Sequence, residues 1–110
     1  MAVRKLGFIT GVAGEYKGAV FKLNDNERVA IGRDAEHADI VINSNNKRVS
    51  RIHCCVMFDA AMNMYCVNDL SKNGTYDAHT KKKLPYGQEV FLARGTPIII
   101  GDRRNVLLLN

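Results

Sequence analysis

Ile52-His53-Cys54-Cys55-Val56-Met57-Phe58 decides the fold class. Every second residue of this run, Ile52, Cys54, Val56 and Phe58, is apolar, and a period of two gathers them on one face of an extended strand. The other face carries His53, Cys55 and Met57. A regular strand would turn His53 away from the core; a bend near its start would change that. The same short alternation, rich in Val, Ile, Phe and Tyr, recurs along the chain. It predicts strands near Lys5 to Ile9, Ala19 to Leu23, Arg28 to Ile31, Ile40 to Ile42, Ile52 to Phe58 and Met64 to Asn68. Others are expected near Thr75 to Tyr76, Val90 to Leu92, Pro97 to Ile100 and Val106 to Leu109. Asn24-Asp25-Asn26, Asn43-Ser44-Asn45-Asn46, Asn73-Gly74 and Gly95-Thr96 supply turns between them.

Short strands that each bury one face are satisfied by two sheets packed face to face, so the expected fold is an all-β, antiparallel β-sandwich of two sheets. No run of ten or more residues has helical periodicity, which argues against parallel β-α-β layers. With 110 residues, residues 1–110 are read as a single domain, because two halves would each be too small to bury a core. Pro85 and Pro97 sit where turns and strand starts tolerate them. Hydrophobic residues make up 46% and charged residues 25%, an ordinary globular balance. No apolar run reaches the roughly 18 to 20 residues of a bilayer span, and Met1-Ala2-Val3-Arg4-Lys5 lacks a secretory signal's apolar stretch.

Cys54, Cys55 and Cys66 are odd in number and show no paired spacing. That pattern fits free thiols in a reducing, intracellular (cytoplasmic) setting better than disulfides, and it offers no metal site. The formal charge of +5 favours an anionic partner without naming it.

Three clusters border predicted strands: Gly32-Arg33, Ser50-Arg51-Ile52-His53, and Ser71-Lys72-Asn73-Gly74-Thr75. Each alone is commonplace. Gly-Arg usually marks a turn with a solvated arginine, Ser before a strand bonds its own backbone, and Asn-Gly marks a hairpin. Together and in this order they resemble the signature of the forkhead-associated (FHA) domain: Gly-Arg, Ser-x-x-His, Asn-Gly-Thr. Gly11 to Leu23, Val29-Ala30-Ile31, Asp69-Leu70-Ser71 and Gly95 to Leu109 extend the likeness over essentially the whole chain. The resemblance implies a sandwich of about eleven strands, short ones near Gly14 to Gly18 and Lys83 to Leu84 making up the number. It also implies loops at one end that bind phosphothreonine, in a module that mediates phosphorylation-dependent protein-protein interaction in signalling.

The chemistry of the residues suits that ligand. Phosphothreonine carries about −1.5 to −2 charges at pH 7 and three acceptor oxygens, so its receptor needs a fixed cation and converging donors. Arg33 offers a guanidinium fork that meets two oxygens at once, which lysine cannot do. Ser50 would donate its hydroxyl, while Arg51 and Lys72 would add backbone amides and charge. By the resemblance, Asn73 pairs with the peptide backbone beside the phosphothreonine, and Gly32, His53, Gly74 and Thr75 brace the loops. Lys47 and Arg48, with Arg103 and Arg104, are expected to favour an acidic ligand residue three places after the phosphothreonine. Lys81-Lys82-Lys83 reads as a solvated hairpin tip. Ala78 stands where the family often has Asn, which departs from the pattern.

Two other readings compete. A basic nucleic-acid-binding domain would suit the charge, but the chain has no Trp and no aromatic-basic motif for stacking bases. A module of the same fold that binds an unphosphorylated surface is the other. Enzymatic function and cofactors are not expected: Gly11, Gly14 and Gly18 lack phosphate-loop spacing, and His37, His53 and His79 have no neighbouring nucleophile in a catalytic arrangement. Domains resembling this one are commonly joined to others in longer chains.

Overall fold

The computed structural model of the chain describes residues 6–43 and 45–110. Its strands, in chain order, are β1 (Gly7–Ala13), β2 (Val20–Leu23), β3 (Arg28–Gly32), β4 (Ile40–Val41), β5 (Cys54–Asp59), β6 (Met64–Asp69), β7 (Thr75–Asp77), β8 (Glu89–Ala93), β9 (Thr96–Ile100) and β10 (Val106–Leu109). They form two five-stranded sheets, ordered β2-β1-β10-β9-β7 and β4-β3-β5-β6-β8. All the strand pairings are antiparallel except β3 with β4, which is parallel. The expected sandwich is therefore present with ten strands, close to the eleven implied. Where two further short strands were expected, single bridges occur instead, Gly11 with Lys17 and Tyr76 with Lys83. Lys5 and Ser44, part of a predicted strand and turn, lie outside the described residues.

Alternation sets the core. Along β5, Cys54, Val56 and Phe58 are buried while Cys55 and Met57 are half-buried, as a period of two requires. Phe58 and Tyr65 face one another with ring centroids 5.1 Å apart, and Ile9, Ile31, Ile98, Ile100, Leu107 and Leu109 close the space between the sheets. Each such side chain contributes roughly 1.5 to 3 kcal/mol by leaving water. The buried Tyr65 hydroxyl accepts from the Phe8 amide at 2.8 Å and donates to the Asn110 carbonyl at 2.8 Å, fastening one sheet to the other.

His53 corrects one expectation. The strand begins at Cys54, not Ile52, so Ile52 is only half-buried and His53 lies outside the regular alternation. Its amide donates to Ile31 O at 2.7 Å, the backbone bends there, and the ring turns inward to full burial.

The register brings five strand ends together. Ile31 at the end of β3 lies opposite Cys54 at the start of β5, which lies opposite Asp69 at the end of β6; Thr75 at the start of β7 lies opposite Ile100 at the end of β9. The loops after Gly32, before Cys54, after Asp69 and after Ile100 therefore emerge from one end of the sandwich.

Candidate functional site

Gly32 begins the construction. A Cβ there would sit 2.0 Å from the Arg51 carbonyl oxygen, so only glycine allows the segment around Arg51 to lie against β3. That contact is used at once: the Arg33 amide donates to Ser50 O at 3.2 Å and the Asp34 amide to Arg51 O at 3.1 Å. The Arg33 side chain then reaches the same segment, its Nε donating to Val49 O at 2.7 Å. Val49 is fully buried and anchors its carbonyl. With Nε held, the terminal nitrogens of the guanidinium form a fork with no acceptor among the described residues.

Ser50 follows Val49 on the segment that holds Arg33 Nε. Its Oγ accepts from the Lys72 amide at 3.0 Å, which ties two loops together and leaves the hydroxyl hydrogen available to a ligand. The Arg51 amide likewise has no acceptor among the described residues. Asn73 donates through Nδ2 to Arg48 O at 3.1 Å, which leaves its carbonyl oxygen and one amide hydrogen for another partner. Arg33, Ser50 and Asn73, 40 positions apart from first to last, are thus held by bonds to one short segment, residues 48–50. Arg51 and Lys72 are exposed at its rim.

His53 and Thr75 sit beneath. Because the Ser50 amide donates to His53 Nδ1 at 3.0 Å, the proton of the neutral ring resides on Nε2, which donates to Gly74 O at 2.8 Å. Burial pushes the His53 pKa below its ordinary value, against the opposing pull of the Gly74 carbonyl and the Asp69 charge. Thr75 Oγ1 donates to Asp69 Oδ1 at 2.9 Å, and that oxygen also accepts from the Ser71 amide at 3.1 Å and the Ser71 hydroxyl at 2.6 Å. Ser71 Oγ in turn accepts from the Gly74 amide at 2.7 Å. Gly74 has φ of 100°, a left-handed conformation that a side chain would strain.

A consequence for stability follows. A histidine held neutral by burial protonates more readily when unfolded, so its contribution is complete above the unfolded value near 6.5 and is lost as pH falls towards its lower folded value. The peptide-free domain should lose stability as pH falls below about 6.5 because of this one group. Denaturant midpoints across that range test it, and His53→Gln should flatten the slope.

Sequence reasoning placed Arg33, Ser50, Arg51, Lys72, Asn73, Gly32, His53, Gly74 and Thr75, and all nine lie at this end. Of the four residues expected to act on specificity, Arg48 lines two hollows: a groove with Arg103, Asn73, Tyr76, Ala78 and Ile99, and a depression with Lys47, Arg104, Glu15 and Asn105. The loop after Ile100 separates them, since Asp102 accepts from the Arg104 amide at 2.8 Å and holds that residue to its own side. Lys81, read as part of a solvated tip, lines the groove with Arg48 and Arg103, although it is exposed like Lys82 and Lys83. Two contributors had no assigned role: Asp69, although Asp69-Leu70-Ser71 was visible as a motif, and Gly101. A Cβ on Gly101 would meet the Arg48 carbonyl oxygen at 2.7 Å.

Comparison with known proteins agrees with the fold. The model of the FHA domain family matches residues 29–101. Nothing among curated proteins matches the chain. Among solved structures, the chain is similar to the FHA domain of the CT664 protein from Chlamydia trachomatis, with 24% identity, a TM-score of 0.78 and 96% of each chain covered. It is also similar to the FHA domain of a hypothetical protein from Arabidopsis thaliana, with 22% identity, a TM-score of 0.80, and 97% of this chain and 86% of that one covered. A third is the N-terminal FHA domain of Rad53p from S. cerevisiae, solved in complex with a phosphothreonine peptide; it has 18% identity, a TM-score of 0.74, and 96% and 91% coverage.

Proposed function

The chain belongs to the FHA domain family, and from that premise we propose that its loop end recognises phosphothreonine on a partner protein. One observation carries the reading: the Arg33 fork is fixed through Nε by the buried Val49 carbonyl, on the same short segment that bears the Ser50 hydroxyl, with hydrogen to donate, and that holds the Asn73 amide through Arg48 O. A dianionic phosphate with three acceptor oxygens fits that set of donors, and the guanidinium supplies the planar, two-bond contact that phosphate favours. The Rad53p domain of similar fold was solved with such a peptide. The role is one of binding, with no bond made or broken.

The test is a degenerate peptide pool in which phosphothreonine, phosphoserine or threonine is fixed at the centre. Selective retention of the phosphothreonine pool, abolished by phosphatase, is expected. Retention that survives phosphatase would favour an unmodified protein surface, and tighter binding to DNA than to phosphopeptide at moderate salt would favour nucleic acid.

The groove next to Asn73 carries the preference for flanking residues. Arg48, Arg103 and Lys81 line the groove with Tyr76, Ala78 and Ile99, three cations against the single carboxylate of Asp102. An acidic residue three places after the phosphothreonine is therefore favoured, and each exposed cation contributes roughly 0.2 to 1 kcal/mol. Arg48→Glu with Arg103→Glu should reverse the preference on a peptide array by about tenfold overall. An aliphatic preference in the wild-type domain would contradict it.

A further inference from the structure

The depression beside the groove is lined by groups that donate. Lys47, Arg48 and Arg104 bring three cations to it against the single carboxylate of Glu15, and one Glu15 oxygen already accepts from the Asn43 amide. Neither Lys47 nor Arg48 has an ion-pair partner among the described residues, and Arg104 has only Asp102, 3.6 Å from its Nε. The asparagines add to the same polarity. Asn43 Oδ1 accepts from the Asn45 amide at 2.8 Å and Asn46 Oδ1 from the Arg48 amide at 3.1 Å, so in both the oxygen is taken and the hydrogens of Nδ2 remain to be donated. Asn105, which also lines the depression, is only 7% exposed. A Cβ on Gly14 would stand 2.6 Å from Asn105 Oδ1, so that oxygen lies against the glycine, and the buried Nδ2 has no hydrogen-bond partner among the described residues. A buried donor without a partner is costly, and an acceptor brought by a ligand would relieve it.

We propose that this depression receives a second phosphate on the same partner, carried by a residue just beyond the one held in the groove. The proposal rests on the phosphothreonine reading of the loop end. Position is the first argument: Arg48 lines both hollows and its carbonyl oxygen holds Asn73 Nδ2, so the depression adjoins the groove. An extended chain that leaves the groove would bring a second phosphate there about four to seven residues after the first. Chemistry is the second. Six side chains converge as donors, three of them cationic, which exceeds what the single charge of a carboxylate calls on; a phosphate brings three acceptor oxygens and about −1.5 to −2 charges. Room is the third, since the depression encloses about 540 Å³, an ordinary volume for a ligand cleft. The partner would then be a segment phosphorylated twice, with each phosphate read by its own set of donors.

Titration calorimetry with a singly phosphorylated peptide, and with peptides that add a second phosphothreonine at each of those positions, tests the proposal. At one spacing the second phosphate should tighten binding about tenfold, as three exposed cations together supply, and glutamate in its place should recover only part of that gain. Lys47→Gln with Arg104→Gln should bring the doubly phosphorylated peptide to within about twofold of the single one. Both side chains are exposed, so the fold should survive the exchange. Asn46→Asp keeps an oxygen for the Arg48 amide but removes the donor, and it should also reduce the gain. No gain at any spacing, a gain that glutamate equals, or a gain unchanged in the folded Lys47 and Arg104 variant would overturn the second site while leaving the first intact. Failure of the singly phosphorylated peptide to bind would instead overturn the phosphothreonine reading, and this inference with it.

Discussion

Arg33→Ala is expected to weaken phosphothreonine-peptide binding by tenfold to a hundredfold or more. Each charge-assisted hydrogen bond contributes about 1.5 to 3 kcal/mol net, and the fork provides two of them. Arg33→Lys should recover little, because an ammonium group cannot make the planar double contact and cannot also donate to Val49 O as Nε does. The fold itself should hardly notice. Arg33 is half-buried and its side chain donates one hydrogen bond to the backbone, so thermal unfolding should shift by an amount worth only about 1 kcal/mol. Titration calorimetry and a melting curve on one sample separate the two effects. Full-strength binding by a folded Arg33→Ala domain would remove Arg33 from the site.

Asp69→Ala should act in the opposite sense, with its main effect on stability. The carboxylate is fully buried, and one of its oxygens receives the Ser71 amide, the Ser71 hydroxyl and the Thr75 hydroxyl. Alanine would leave three buried donors without an acceptor, at about 1 to 3 kcal/mol each before relaxation, so a loss of about 3 to 5 kcal/mol is expected. Domains of this size are stable by only about 5 to 15 kcal/mol, so the variant would be near the edge of folding. Asp69→Asn, which keeps an oxygen where Oδ1 lies, should cost clearly less. Denaturant unfolding measures both, and equal losses would mean that the Oδ1 contacts are not what the aspartate supplies. At temperatures where Asp69→Ala remains folded, peptide affinity should still fall, because Ser71 and Gly74 position Asn73.

Much of this was legible in the sequence, for physical reasons that can be named. A period of two is a direct imprint of a half-buried strand, and it located the strands from β2 to β10 to within a few residues. The order Gly-Arg, Ser-x-x-His, Asn-Gly-Thr located the site, because each residue type answers a local demand: close approach at Gly32, a fork at Arg33, a positive φ at Gly74. What was not legible depends on how loops fold back on one another. The inward turn of His53 needs the strand to start two residues later than its alternation suggests. The separation of Arg103 from Arg104 is set by the turn at Asp102, and Lys81 joins the groove because the hairpin after β7 folds back, Leu84 N donating to Thr75 O at 2.9 Å.

The pH dependences of fold and of binding have separate origins. The phosphate's second proton, with a pKa near 6, should weaken binding below about pH 6, whereas His53 lowers stability over a similar range without any ligand. Unfolding of the free domain reports the second, and affinity measured with His53→Gln isolates the first.

The most direct test of the central claim is an amide-resolved NMR titration of the domain with two peptides that differ only in the phosphate on one threonine. The phosphorylated peptide is expected to shift the amides of Arg33, Arg51, Lys72 and Asn73 together, with a common binding constant, while its unphosphorylated twin leaves them still. Equal shifts with both peptides, or phosphate-dependent shifts confined to the opposite end of the sandwich, would contradict a phosphothreonine receptor built from these loops.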